Sequence, residues 1–225
     1  MKDGRTHLAY KAEHVVDLQT EVLLAAEIYG ADEADAATLI RSVERAQDHV
    51  DATETCRLIG KIAADKGYHA IETLEGVGQS ALVGAKTYIS ERETDWNWSD
   101  KTPEQKRAVL NNRARIERDY GKRLQRKRSE RVERSFAHVC ETGGGRRTWL
   151  RGLDNVRKHH LVKAAAHNLG LILRKLLGAG KPRAYATFCA LVQLLHFAQV
   201  MLRDFLPIVD AAKLYSPRWR LRLSA

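Results

Sequence analysis

Leu58-Ile59-Gly60-Lys61-Ile62-Ala63-Ala64-Asp65-Lys66-Gly67-Tyr68 is the stretch on which the fold turns. Leu58 to Ala64 is a short apolar run, stopped by the turn residues Asp-Lys-Gly. Such a run reads as a buried strand. Its carboxyl end delivers Asp65, and open sheets gather functional groups at the carboxyl ends of their strands, where the loops diverge. Asp65 therefore has two readings, an ordinary turn aspartate or a member of a site.

Upstream, Thr6 to Val16 alternates. Leu8, Tyr10, Ala12, His14 and Val16 point one way, Lys11 and Glu13 the other, as in a strand with one buried face. Asp17-Leu18-Gln19-Thr20 reads as a turn. Glu21 to Tyr29 is a second strand, apolar on both faces, and the two form an antiparallel hairpin. A helix follows with Leu39, Ile40, Val43 and Ala46 on one face and Asp32 or Asp35 as its N-cap. Downstream of Asp65 come a short helix at Ile71–Leu74 and a strand at Lys86–Ser90. From Thr102 to about Cys140 the chain reads as helix, with Pro103 in its first turn and Gly143-Gly144-Gly145 as its stop. Asn155–Leu177 is a further amphipathic helix. This order predicts an α/β (mixed α+β) class, a mixed sheet flanked by helices. The boundary is expected near Gly178–Pro182, giving a domain over 1–180 and a helical tail over 181–225.

The formal net charge of +10 favours a polyanionic partner. Between Lys101 and Arg134, thirteen Lys or Arg face five Asp or Glu, too one-sided for self-paired salt bridges. A solvated helix face is one reading and phosphate contact the other. Lys66, Arg113, Arg115, Arg118, Lys122, Arg123, Arg126, Lys127 and Arg128 are the candidate DNA contacts. Trp96 and Trp98 either stack on exposed bases or anchor packing. Glu133 lies beside Val132 and Phe136, one helical turn apart on the core side. It is either a surface acid paired with a neighbour or a carboxylate aimed at the sheet edge. Two nearby carboxylates supply hard oxygen ligands for a divalent metal.

Cys56, Cys140 and Cys189 are widely spaced and argue against a disulfide framework or a thiolate zinc site. A reducing cytoplasm is the expectation. His14 reads as a core histidine. No His-x-x-x-His pair stands beside an acid in metalloprotease order. The chain has no phosphate-binding Walker loop, no Gly-x-Ser-x-Gly elbow and no dinucleotide fingerprint. Ala184 to Leu202 carries no formal charge, but Gln193, His196 and Gln199 interrupt it, and a buried or partner-facing helix is expected there rather than a membrane span.

Several segments together resemble DDE transposases of bacterial insertion sequences, the branch with an RNase H-like catalytic core. They are 2–17, Ala64-Asp65-Lys66-Gly67-Tyr68-His69, Thr87–Glu91, Glu130-Arg131-Val132-Glu133-Arg134-Ser135-Phe136-Ala137-His138, Glu141–Gly144 and Arg151–Gly170. The resemblance implies that Asp65 is the second aspartate of the triad and Glu133 its glutamate. It also implies two magnesium (or manganese) ions, cutting of one DNA strand with water, and joining of the freed 3′ hydroxyl to target DNA. DNA and a second transposase copy are the implied partners. Two departures stand out. The hairpin corresponds to the second and third core strands, so the first strand and its aspartate are missing; Asp17 is the only substitute, in a turn. Where many relatives have an arginine four residues before the glutamate, this chain has Ser129, with Arg128 and Arg131 close by, so Glu130 rivals Glu133. The expectation is an N-terminally truncated transposase. A non-catalytic basic DNA-binding protein is the alternative.

Overall fold

The computed structural model describes residues 9–53, 56–80, 82, 84–92, 98–178 and 189–203. The expected first-strand residues Thr6–Leu8, Trp96 and the basic end after Pro207 lie outside the described residues. Among those described, β1 (Tyr10–Val16) and β2 (Leu23–Gly30) precede α1 (Asp35–Asp51) and β3 (Lys61–Ala64). A 3-10 turn at Lys66–Tyr68 then leads to α2 (Ile71–Gln79), β4 (Lys86–Ile89), α3 (Pro103–Glu117), α4 (Asp119–Phe136), a π turn at Ala137–Thr142 and α5 (Leu153–Leu177). The chain divides into two compact units, Met1–Leu171 and Ile172–Ala225. The second contains a helix over 189–203. Among the described residues, no helix is long and apolar enough to cross a membrane.

The mixed α/β class holds, but the single expected sheet is two separate pairs. β1 and β2 are antiparallel, with Tyr10 opposite Gly30 and a register shift between Val15 and Val16. β3 and β4 are parallel, with Lys61 opposite Lys86 and Ala64 opposite Ile89. No ladder joins β1 to β3 among the described residues.

The second pair is packed as its apolar sequence requires. Ile62, Ala64 and Ile89 meet Leu39 and Val43 of α1, Ile71, Leu74 and Val77 of α2, and Val109 of α3. Removing this apolar area from water is the main stabilising term. The outer edge of β4 is closed by side chains of α3. Asn112 is fully buried; its Oδ1 accepts from Ile89 N at 3.0 Å and its Nδ2 donates to Ile89 O at 2.8 Å. Arg115 Nε donates to Thr87 O at 2.9 Å on the same edge.

β1 corrects the expected alternation. Its most buried residue is Glu13, from the face read as polar. Glu13 accepts hydrogen bonds from Thr38 and from Ser42 (2.6 Å) of α1, and pairs with Lys11 Nζ at 3.0 Å. On the other face His14 stacks on Phe136 of α4, ring centroids 4.0 Å apart. Helices therefore cover both faces, so period-two patterning had no solvent side to report. Asn168 of α5 does for β2 what Asn112 does for β4: its Oδ1 accepts from Leu23 N and its Nδ2 donates to Leu23 O, at 2.9 and 2.8 Å.

Two helix termini also differ from expectation. Ala34 caps α1 without a side-chain bond, and neither Asp32 nor Asp35 performs that role; Asp35 is its first residue. The single helix expected over 102–140 is broken at Arg118, whose ψ of 151° is extended. Gly121 permits the break: a Cβ there would lie 2.2 Å from Arg115 O, so only a glycine lets α4 turn back this close to the end of α3. At the start of α3, Thr102 and Gln105 form a capping box ahead of Pro103.

Candidate active site and nucleic-acid surface

β3 ends where its apolar run ends, and Asp65 is the next residue. It caps the 3-10 turn, accepting from Lys66 N at 2.8 Å. A Cβ on Gly67 would lie 2.6 Å from Asp35 Oδ2, so this turn runs close to the first residue of α1. Arg92 donates to the carbonyls of Lys66 and Gly67, both at 3.0 Å, and pins the turn from outside. Behind it Tyr68 is held above its ordinary pKa by burial first, then by the charges of Glu13 and Asp35. The Asp65 carboxylate remains largely exposed. Among the described residues its charged partner is Arg128 of α4, Nη2 to Oδ1 at 3.5 Å.

α4 packs along β3, β4 and β1. Gln125 Nε2 donates to Ala64 O (3.1 Å) and to Tyr88 O, fastening the helix across the carboxyl ends of the parallel pair. Arg128 then reaches Asp65, and Ser135 reaches β1. Glu133 is exposed and accepts from Ser129 Oγ at 2.7 Å. Arg128 carries α4 to Asp65, whereas the Ser129 bond to Glu133 is a one-turn contact within α4 itself. Glu130 is paired with Arg134 at 2.5 Å, on the helix surface. Asp17 spends its carboxylate on its own turn. It accepts from Gln19 N at 3.2 Å, Thr20 N at 3.1 Å and Thr20 Oγ1 at 2.5 Å. Burial alone would raise its pKa; the bonds from Thr20 and Gln19, with Lys127 nearby, hold it below the usual value instead. Among the described residues no group of three or more His, Cys, Asp or Glu is arranged to hold a metal ion. The two acids at this turn offer suitable hard oxygens but too few of them.

The basic run separates into two sets. Arg113 forms a two-pronged pair with Glu91 (2.6 and 2.7 Å), and Arg115 is committed to Thr87. Burial lowers the pKa of Arg115. Both serve the α3–β4 contact. Trp98 is half-buried against the apolar core, its ring 6.0 Å from the Arg113 guanidinium, so it anchors packing. Arg118, Lys122, Arg123 and Arg126 are exposed, as is Lys66, and Lys127 is half-buried. Lys122, Arg126, Ser129 and Glu133 follow one another by four, three and four residues, so they share a stripe on α4. Lys122 and Arg126 thus look out on the same side as Glu133.

Sequence reasoning missed three features. Glu21, in the left-handed region at φ 67°, is gripped by both Arg131 and Arg134 (2.8 Å). Glu13 is a buried carboxylate. His14, Ser135 and His160 form a chain through β1, α4 and α5, with His14 Nδ1 to Ser135 Oγ at 2.8 Å and His14 Nε2 to His160 Nε2 at 2.9 Å. The Ser135 hydroxyl donates to Val132 O, so it accepts from His14 Nδ1–H, and His14 Nε2 accepts from His160 Nε2–H. Burial, then the neighbouring histidines, lowers His14 to about 3; burial, then Lys163 and His159, lowers His160 to about 4. All three connections span distant parts of the chain and leave no local signature.

Residues 93–173 match a family model described as a transposase DDE domain. The matched stretch holds α3, α4 and most of α5, with Glu133 and the basic row inside it. No curated protein and no solved structure matches the chain.

Proposed function

From the match of residues 93–173 to a transposase DDE domain model, we propose that the chain is the core of a DDE transposase that cuts and joins DNA strands, with Asp65 and Glu133 as two of its carboxylates. The observation that carries this reading is Asp65, at the end of β3, bonded by Arg128 of the same basic helix that bears Glu133. That helix also carries a stripe of exposed cations suited to a DNA backbone. Asp17 is proposed as a turn residue and Glu130 as a surface partner of Arg134.

Two carboxylates do not complete a metal centre. A third is proposed to come from a strand lying between β1 and β3. Three observations favour that slot. Among the described residues β1 pairs with β2 alone, and β3 with β4 alone. Val15 of β1 joins the apolar cluster of Ile62 and Ala64. Lastly, α4 packs on β1, β3 and β4 together. An RNase H-like sheet is the arrangement this would complete. With magnesium bound, such a centre supplies charge neutralisation at the phosphodiester. The protein's own part is to hold Asp65 at the strand end and to present Lys122, Arg123 and Arg126 to the flanking phosphates.

The test is nicking of terminal-repeat DNA in Mg²⁺, comparing the chain with Asp65→Asn and Glu133→Gln. Both substitutions should abolish nicking and leave DNA binding intact. Nicking that survives both removes the assignment of the site. The incomplete carboxylate set favours a second reading, a DNA-binding protein without cutting activity. That reading predicts salt-sensitive binding indifferent to Mg²⁺ and to both substitutions. In either case, a Lys122→Gln, Arg123→Gln, Arg126→Gln triple variant should flatten the salt dependence by roughly 0.9 in slope per lost phosphate contact on duplex DNA.

A further inference from the structure

We infer that Trp149, in the loop between the π turn and α5, is a stacking platform for an unpaired nucleic-acid base, with Arg147 and Arg151 taking the phosphates on either side. This rests on DNA being the polymer handled by the protein. It adds a contact surface separate from the α4 stripe.

The indole is 84% exposed, more than any other exposed large hydrophobic residue among those described. The indole thus offers an open π face on which a base can stack. Thr142 to Leu153 contains Arg146, Arg147 and Arg151 and no acidic residue. Arg146 is paired with Glu141 at 2.8 Å. Arg147 and Arg151 are exposed and make no ion pair among the described residues. An aromatic face with an exposed arginine two residues before it and another two residues after it in sequence matches one unstacked nucleotide and its flanking phosphates. Base–aromatic stacking needs a free π face, which a base inside a duplex does not offer.

The loop is held, so the indole is presented rather than trailing. Gly143 N donates to His138 O (2.8 Å), Gly145 N to Val139 O (3.1 Å) and Arg146 N to Cys140 O (3.2 Å). Lys163 of α5 donates to Gly144 O at 2.7 Å, and Gly144 takes a φ of 67° that favours glycine. Leu150 N donates to Thr148 Oγ1 at 3.1 Å, closing a small turn around Trp149 itself. His159 stands beside the indole, ring centroids 5.9 Å apart at 55°, and steadies one side of it.

The experiment measures the affinity of the full chain for a fluorescein-labelled oligothymidylate and for a duplex of the same length, by anisotropy over a salt series. Because Trp149 is solvent-facing, Trp149→Ala should fold as the parent does. It should bind the single strand about tenfold more weakly and the duplex almost unchanged. Trp149→Phe should recover most of the loss. Arg147→Gln and Arg151→Gln should each lower the single-strand salt slope by about 0.7. Single-strand binding by Trp149→Ala equal to the parent's overturns the inference, and so does an equal loss for single strand and duplex. Neither outcome touches the proposed function, whose own readouts are the α4 triple variant and the two carboxylate substitutions.

Discussion

β3 and β4 lie together with Ile62, Ala64 and Ile89 all but sealed from water, while β1 and β2 are held by Glu13 against Thr38 and Ser42, by His14 against Ser135 and His160, and by Asn168 against Leu23. One pair is centred on apolar area, which is tolerant of detail. The other adds to its own apolar cluster around Leu23 and Ala26 a set of polar groups out of water, each of which needs its partner. A defect in the first costs volume; a defect in the second strands a donor or acceptor. The candidate carboxylate site straddles the two, Asp65 belonging to the tolerant pair and α4 running on to the exacting one.

Ile89→Ala is the most damaging single change expected. It empties a fully buried site facing three helices and should cost about 3–4 kcal/mol, read as a fall in the urea midpoint with unchanged slope. Glu13→Ala tests the other pair. It leaves Lys11, Thr38 and Ser42 without their shared acceptor and should cost about 3 kcal/mol. If it costs less than Val→Ala changes at exposed sites, the polar account of the hairpin is wrong.

Asn112→Ala should cost about 2 kcal/mol, because both backbone groups of Ile89 lose their partners. Hydrogen exchange should then rise at Ile89 before it rises at Leu23; the reverse order would contradict the assignment of Asn112 to β4. The smallest effect is a pH slope. His14 and His160 are depressed below their unfolded value near 6.5, so the unfolded chain binds more protons than the folded one. Their contribution is complete above about 6.5 and is lost as pH falls towards about 4 and about 3. A His14→Phe, His160→Phe variant should show a flatter fall in stability over that window. An unchanged profile would mean that carboxylates alone govern acid unfolding.

The sequence made the apolar pair legible and the polar one only in outline. A short apolar run closed by Asp-Lys-Gly is a local signal; it placed the end of β3 and Asp65, but the strand begins at Lys61 rather than Leu58, which is exposed. Lys86–Ser90 and the start of α3 at Pro103 were readable for the same reason. Glu13 was read as solvent-facing because alternation assumes one wet face, and α1 removes it. The break at Arg118 carries no proline; its signal is Gly121, whose meaning depends on the carbonyl of Arg115 being nearby. Arg113 and Arg115 look like their basic neighbours in sequence, yet Glu91 and Thr87 claim them through the fold.

Asn112 has a consequence beyond holding a helix in place. A bare strand margin is a template onto which other copies of a chain add, rung by rung, until they precipitate. On β4 those rungs are already taken, at Ile89 by an amide that imitates a neighbouring peptide unit and at Thr87 by Arg115. The flank is finished from within, so crowding many molecules together should not zip them along this side.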